Sequence, residues 1–174
     1  MQLNQQYLGK WQCAVMSGPN QWRILVVDDE PDIHETYALL LGCSEITEDG
    51  LRGLQLLSDE NAGEPEQSDF LMDHAYNGED GFRMVQEAIE AEAPYAVILL
   101  DMRMSNGWDG MKAAEIINTV DSAVRIIFVS AYMDHSLNEL RERMSGDFQY
   151  LEKPVDQDLL RETVISEAQK WDLL

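Results

Sequence analysis

Short apolar runs recur along the chain, each closed by polar or turn-forming residues. The first is Ile24 to Val27 within RILVVDDEP, residues 23–31. FLMDHA (70–75), YAVILLDM (95–102), VRIIFVSA (124–131) and FQYLEKP (148–154) follow. Runs of this length, rich in Val, Ile, Leu and Phe, predict buried strands. Between them the apolar positions fall at helical spacing. Pro31 can open a helix, since its missing N–H is no loss in a first turn, and Ile33, Tyr37, Leu40 and Leu41 follow before Gly42 as a stop. Phe82, Val85 and Ile89 predict a helix over 78–92, and Met111, Ala114 and Ile117 one over 110–119. Leu137, Leu140 and Met144 predict another over 134–145 with Asp134 as its cap. Leu159, Leu160, Val164, Ile165 and Ala168 place the last over 155–172. Continuous apolar strands alternating with helices give an α/β fold, a (βα)5 doubly wound five-stranded parallel sheet.

Two stretches break this rhythm. Residues 1–21 are polar with scattered aromatics and read as an N-terminal extension to a domain spanning 22–174. Residues 43–69 hold an amphipathic segment and then DENAGEPEQSD, an insertion between the first helix and the second strand. It reads as an extra helix packed on the domain, or more sharply as a docking surface.

Charge narrows the partners. Thirty-three acids against 12 bases give a formal charge of −21 and a pI near 4.2. Nucleic acid and anionic membranes are bound by basic patches, so direct binding to either is not expected. The two cysteines, Cys13 and Cys43, imply no disulfide framework. No apolar run approaches the roughly 18 residues of a membrane span, and the start lacks a signal-peptide pattern. A cytoplasmic, soluble protein is the expectation.

Chemistry collects at one edge of the sheet. In doubly wound sheets ligands bind beyond the carboxyl ends of the strands. There strand one delivers Asp28 and Asp29, strand three Asp101, strand four Ser130 and Ala131, and strand five Lys153 followed by Pro154. Singly, each has an ordinary explanation: a helix cap, a turn former, another cap, a solvated charge. Together they would need four coincidences in strand order. Like charges about 4 Å apart repel by roughly 4 kcal/mol at an effective dielectric near 20, so crowded carboxylates ask for a cation. Oxygen ligands of this kind suit Mg²⁺, with Mn²⁺ as a substitute. With a metal present, one carboxylate can attack phosphorus and form an acyl phosphate. Lys153, the Ser130 hydroxyl and the Ala131 backbone N–H would stabilise the phosphoryl oxygens.

This arrangement resembles the receiver domain of two-component response regulators. DD after strand one, D ending strand three, S-A ending strand four and K-P after strand five carry the resemblance, over about residues 22–172 outside the insertion. It implies a flavodoxin-like receiver fold and a phosphorelay function. Asp101 would be the phosphoacceptor, taking its phosphoryl group from a histidine kinase or a histidine phosphotransfer protein. Asp28, Asp29, Asp101 and the backbone carbonyl of Arg103 would hold the metal. Lys153 would pair with Asp101, across a peptide bond to Pro154 that is usually cis in this family. Ser130 and Tyr150 would form the switch. Arg103 and Tyr132, two positions beyond Asp101 and Ser130, stand where such regulators control the access of water. The chain would be no enzyme beyond its own phosphorylation and slow self-dephosphorylation. A homodimer through the 134–172 face is a further expectation.

The sequence departs from the family pattern after Asp101. There MRMSNGWDG has Ser105 where Pro is frequent and one residue more before Gly110. His34, His74 and His135 show no metal-ligand spacing and read as incidental, and Met102, Met104 and Met111 as packing. Glu30 reads as the start of the next helix, outside the site. Three acids after strand one would repel a flavin phosphate, which disfavours an electron carrier of the same fold. No G-x-x-x-x-G-K-[ST] occurs, so a P-loop enzyme is excluded. An aspartate-nucleophile phosphatase would place D-x-D after strand one, where this chain has D-D-E. The remaining rival is a degenerate receiver acting only as an interaction module.

Overall fold

A computed structural model describes residues 21–43, 69–131, 143–144 and 147–174. The extension before residue 21, most of the insertion, Tyr132, Asp134, His135 and nearly all of the predicted 134–145 helix lie outside the described residues. The described elements run β1 (Trp22–Val27), α1 (Pro31–Leu40), β2 (Phe70–Ala75), α2 (Gly78–Glu90), β3 (Val97–Asp101), α3 (Gly110–Val120), β4 (Arg125–Ser130), β5 (Phe148–Glu152) and α4 (Gln157–Trp171). Every strand pairing is parallel, in the order β2-β1-β3-β4-β5. The expected five-stranded parallel sheet is therefore present.

The pleat divides the core into two layers. Leu25, Val27, Ile98, Leu100, Ile126 and Phe128 face Val85 and Ala88 of α2 and Met111, Ala114 and Ile117 of α3. The alternate residues Ile24, Val26, Val97, Leu99, Ile127 and Val129 face Tyr37 and Ala38 of α1 and Leu160, Val164 and Ala168 of α4. Central strands covered on both faces bury every side chain, as in β3, which is why they read as unbroken apolar runs. Burying each Val, Leu or Ile contributes roughly 1.5–3 kcal/mol, so the strand ends that carry the acids rest on a firmly buried core.

Helix ends are set by local chemistry. Pro31 occupies the first turn of α1 and Gly42 closes it with φ +71°. Asn77, Asp109 and Asp156 cap α2, α3 and α4, each carboxylate or amide oxygen accepting backbone N–H bonds from the first turn. Two inward positions differ from the sequence pattern. Ile89 and Leu159 are exposed, and Ala88 and Leu160 take the buried places beside them.

Candidate phosphoryl-transfer site

The strand order reverses at β1, so the crevice between the ends of β1 and β3 is the switch point of the sheet. Asp28 and Asp29 leave β1 into this crevice, and Asp101 ends β3 beside them. Asp28 and Asp101 are buried and Asp29 is half-buried. Ser130, also buried, ends β4, and Ala131 follows it exposed. Lys153 comes just after β5, its backbone N–H donating to the Ser130 carbonyl at 2.9 Å. The Lys153–Pro154 peptide bond is cis, as the resemblance implied.

Lys153 binds the cluster together. Its Nζ donates to Asp28 Oδ2 at 2.7 Å and to Asp101 Oδ1 at 3.0 Å. Backbone donors take the oxygens on the other side. The Glu30 N–H donates to Asp28 Oδ1 at 3.0 Å, and the Arg103 N–H to Asp101 Oδ2 at 2.8 Å. Glu30 stands at the start of α1, as the sequence suggests, and meets the site only through this main-chain N–H. Asp29 lies outside the grip of Lys153 and accepts instead from Ser105, from the N–H at 2.8 Å and from the hydroxyl, both onto Oδ2.

The ionisation of these groups follows from burial and pairing. Burial pushes the Asp101 carboxyl above its ordinary range, and the Lys153 ammonium offsets this only in part. Burial works against the Lys153 charge, yet Asp28 and Asp101 outweigh it and hold the ammonium above its usual value. Slight burial raises Asp29, but the Ser105 hydrogen bonds prevail and keep it below the ordinary carboxylate range.

A cavity of about 820 Å³ opens beside Asp29, lined by Asp29, Glu30, Met102, Arg103, Met104, Ser105 and Asp109. Asp28 and Asp101 meet at Lys153 and Asp29 adjoins them, and hard carboxylate oxygens of this kind suit Mg²⁺ better than a soft metal. Arg103 is exposed and lines this cavity. Tyr150 is half-buried on β5 and packs against the core layer beneath α2 and α3. Met102, Met104 and Met111 are buried, as packing residues should be.

Two histidines were missed by sequence reasoning. His34 on α1 is buried, with Nε2 2.8 Å from the Asp28 carbonyl and Nδ1 2.9 Å from His74 Nδ1. The carbonyl can only accept, so His34 Nε2 carries the proton and its Nδ1 accepts from His74. The two rings thus hang from the backbone of the first site acid. Only the β1–β2 register, which sets His74 beside Val26, makes the pair visible. Among the described residues, the site acids included, no three His, Cys, Asp or Glu side chains are placed close enough together to hold a metal ion.

The response regulator receiver domain family matches residues 65–165. That stretch contains Asp101, Ser130 and Lys153, while Asp28 and Asp29 lie ahead of it, across the insertion. No curated protein sequence matches the chain significantly. Among solved structures, it is similar to a CheY-like response regulator receiver domain protein from Methanospirillum hungatei JF-1, at 16% identity and a TM-score of 0.63, covering 88% of this chain and 98% of that one. A receiver domain protein from Clostridium thermocellum matches at 22% identity and a TM-score of 0.63, over 87% and 98% of the two chains. The BeF3-activated DrrB receiver domain matches at 17% identity and a TM-score of 0.58, over 86% and 98%. At these identities the likeness establishes the fold. In this chain β1, which precedes the family match, lies between β2 and β3 in the sheet.

Proposed function

Because the chain belongs to the response regulator receiver domain family, we propose that it is a phosphorylatable signal receiver whose phosphoacceptor is Asp101. The observation that carries this reading is the Lys153 ammonium held between Asp28 and Asp101, with Asp29 adjoining. A degenerate receiver would have no need to keep three acids and a lysine converged on one crevice.

The phosphoryl donor is a histidine of a kinase or of a phosphotransfer protein. A carboxylate oxygen of Asp101 attacks phosphorus, forming the O–P bond of an acyl phosphate. The P–N bond to the donor imidazole breaks, and its electron pair stays on the imidazole nitrogen. Mg²⁺, or Mn²⁺ in its place, would be held by Asp28, Asp29, Asp101 and the Arg103 carbonyl. When bound it supplies positive charge between the carboxylates and the phosphoryl oxygens. Lys153 gives up its bond to Asp101 for one to a phosphoryl oxygen. The Ser130 hydroxyl and the Ala131 N–H donate to the remaining oxygens. Ser130 moves toward the new charge, Tyr150 follows, and the changed surface controls an effector or partner. Arg103 and Tyr132 govern how fast water removes the phosphoryl group. The chain catalyses nothing beyond these reactions on itself, and it works in the cytoplasm.

Incubation with Mg²⁺ and a small-molecule phosphodonor, followed by intact-mass measurement, tests the assignment. The unaltered chain gains one phosphoryl group and Asp101→Asn gains none. An unchanged mass for the parent chain would leave the interaction-module reading in its place. Since burial raises the Asp101 carboxyl, the nucleophilic carboxylate form is lost as pH falls through that raised value. The phosphorylation rate should therefore decline at a pH above that at which an exposed aspartate would titrate.

A further inference from the structure

The loop between β3 and α3 is longer than the family pattern by one residue, and it carries Ser105 in place of the frequent Pro. Ser105 gives both of its donors, the backbone N–H and the hydroxyl, to a single oxygen of Asp29. Neither goes to Oδ1. The loop does not depend on Asp29 for its course, because it is moored separately at its far end. There the Trp108 N–H donates to Glu79 Oε2 at 3.0 Å. The Trp108 ring rests against Phe82, centroids 5.9 Å apart, and Lys112 lies over it at 5.0 Å. Gly107 permits this mooring. It has φ +87°, and a Cβ there would sit 2.2 Å from Glu79 Oε2. Ser105 is thus delivered to Asp29 by a loop fixed on α2. Asp29, the one site acid outside the grip of Lys153, is oriented by the serine instead.

We propose that Ser105 is a positioning residue for the cation site, fixing Asp29 through Oδ2 so that Oδ1 is presented to Mg²⁺. This rests on the receiver reading above. Outer partners that hold a ligating carboxylate in place typically change metal affinity by about 10–100-fold when removed. The hydroxyl is one of two donors here, so the lower end applies. Ser105 is exposed, and its replacement leaves the core intact.

Mg²⁺ titration by isothermal calorimetry, with tryptophan fluorescence as a second readout through Trp108, tests the assignment on the full chain. Ser105→Ala should bind Mg²⁺ roughly tenfold more weakly than the parent, with its melting temperature in the absence of divalent ions unchanged. Ser105→Thr, which keeps the hydroxyl, should restore the affinity. Equal or tighter binding by Ser105→Ala would overturn the proposal, because Ser105 would then be a placeholder that the cation displaces. Failure of the threonine variant to recover would overturn it as well. Absence of Mg²⁺ binding by the parent chain would defeat the receiver reading and this proposal together, whereas binding by the parent with no response to the alanine variant would defeat the proposal alone.

Discussion

Asp28 meets two kinds of partner, and they differ in how they respond to pH. Its carboxylate is held by Lys153 and the Glu30 N–H, its carbonyl by His34 backed by His74. Both imidazoles are hydrogen-bonded in their neutral forms, and both lose affinity for a proton. Burial pushes His74 down to about 4, with His34 adding to the effect, and burial likewise lowers His34. An unfolded histidine titrates near 6.5. Between that value and 4 the unfolded chain binds a proton that folded His74 refuses, so acid favours unfolding. The stability tied to His74 is complete above pH 6.5 and is lost as pH falls toward 4. It should amount to about 2 kcal/mol between pH 7 and pH 5, read from denaturant midpoints at the two values. In His74→Asn the chain should be less stable at pH 7, while the additional loss on going to pH 5 shrinks. A loss unchanged in that variant would assign the acid sensitivity to other groups.

The junction of β3 and α3 shows how closely an element must approach the phosphoacceptor. The Gly110 N–H donates to the Met102 carbonyl at 3.2 Å, and a Cβ at Gly110 would lie 2.1 Å from the Asp101 carbonyl oxygen and 2.8 Å from Met102 Cα. Both are backbone atoms and cannot turn aside. Gly110→Ala should therefore shift the start of α3 or the end of β3. A cost of about 2 kcal/mol or more in stability is expected, with a large drop in phosphorylation rate, and wild-type values for both would contradict this crowding. Elements of this kind were unevenly legible in the sequence. The runs ending β1, β3 and β4 declared themselves because those strands are buried on both faces. β5 was fainter because Phe148, Gln149 and Tyr150 are only half-buried at the edge of the sheet. On α2 the periodic signal pointed to Ile89, but alanine, too small to register in a pattern, fills the buried place. Asp28, Asp29, Asp101, Ser130 and Lys153 could be read from strand ends alone. The His34–His74 pair and the Ser105–Asp29 bonds could not, since they depend on strand register and on the course of a loop.

At the scale of the whole chain, −21 formal charges self-repel, and two responses to salt must be separated. Monovalent salt screens the general repulsion, with a Debye length of about 10 Å at 0.1 M. A cation in the crevice would act differently, by binding the folded state and not the unfolded one. At ten times its dissociation constant, Mg²⁺ should add about 1.4 kcal/mol, or roughly 3–5 °C in melting temperature for a chain of this size. MgCl₂ and NaCl compared at equal ionic strength isolate that increment. Asp29→Asn removes one acid that lies beyond the reach of Lys153. Its melting temperature without divalent ions should therefore equal or exceed that of the parent, because one source of repulsion is gone. Its response to NaCl should persist, since most of the charge remains, while the increment specific to Mg²⁺ disappears. An undiminished Mg²⁺ increment in Asp29→Asn would mean that the ion acts by screening the acidic surface. The stabilisation would then belong to the net charge of the molecule and not to the crevice between β1 and β3.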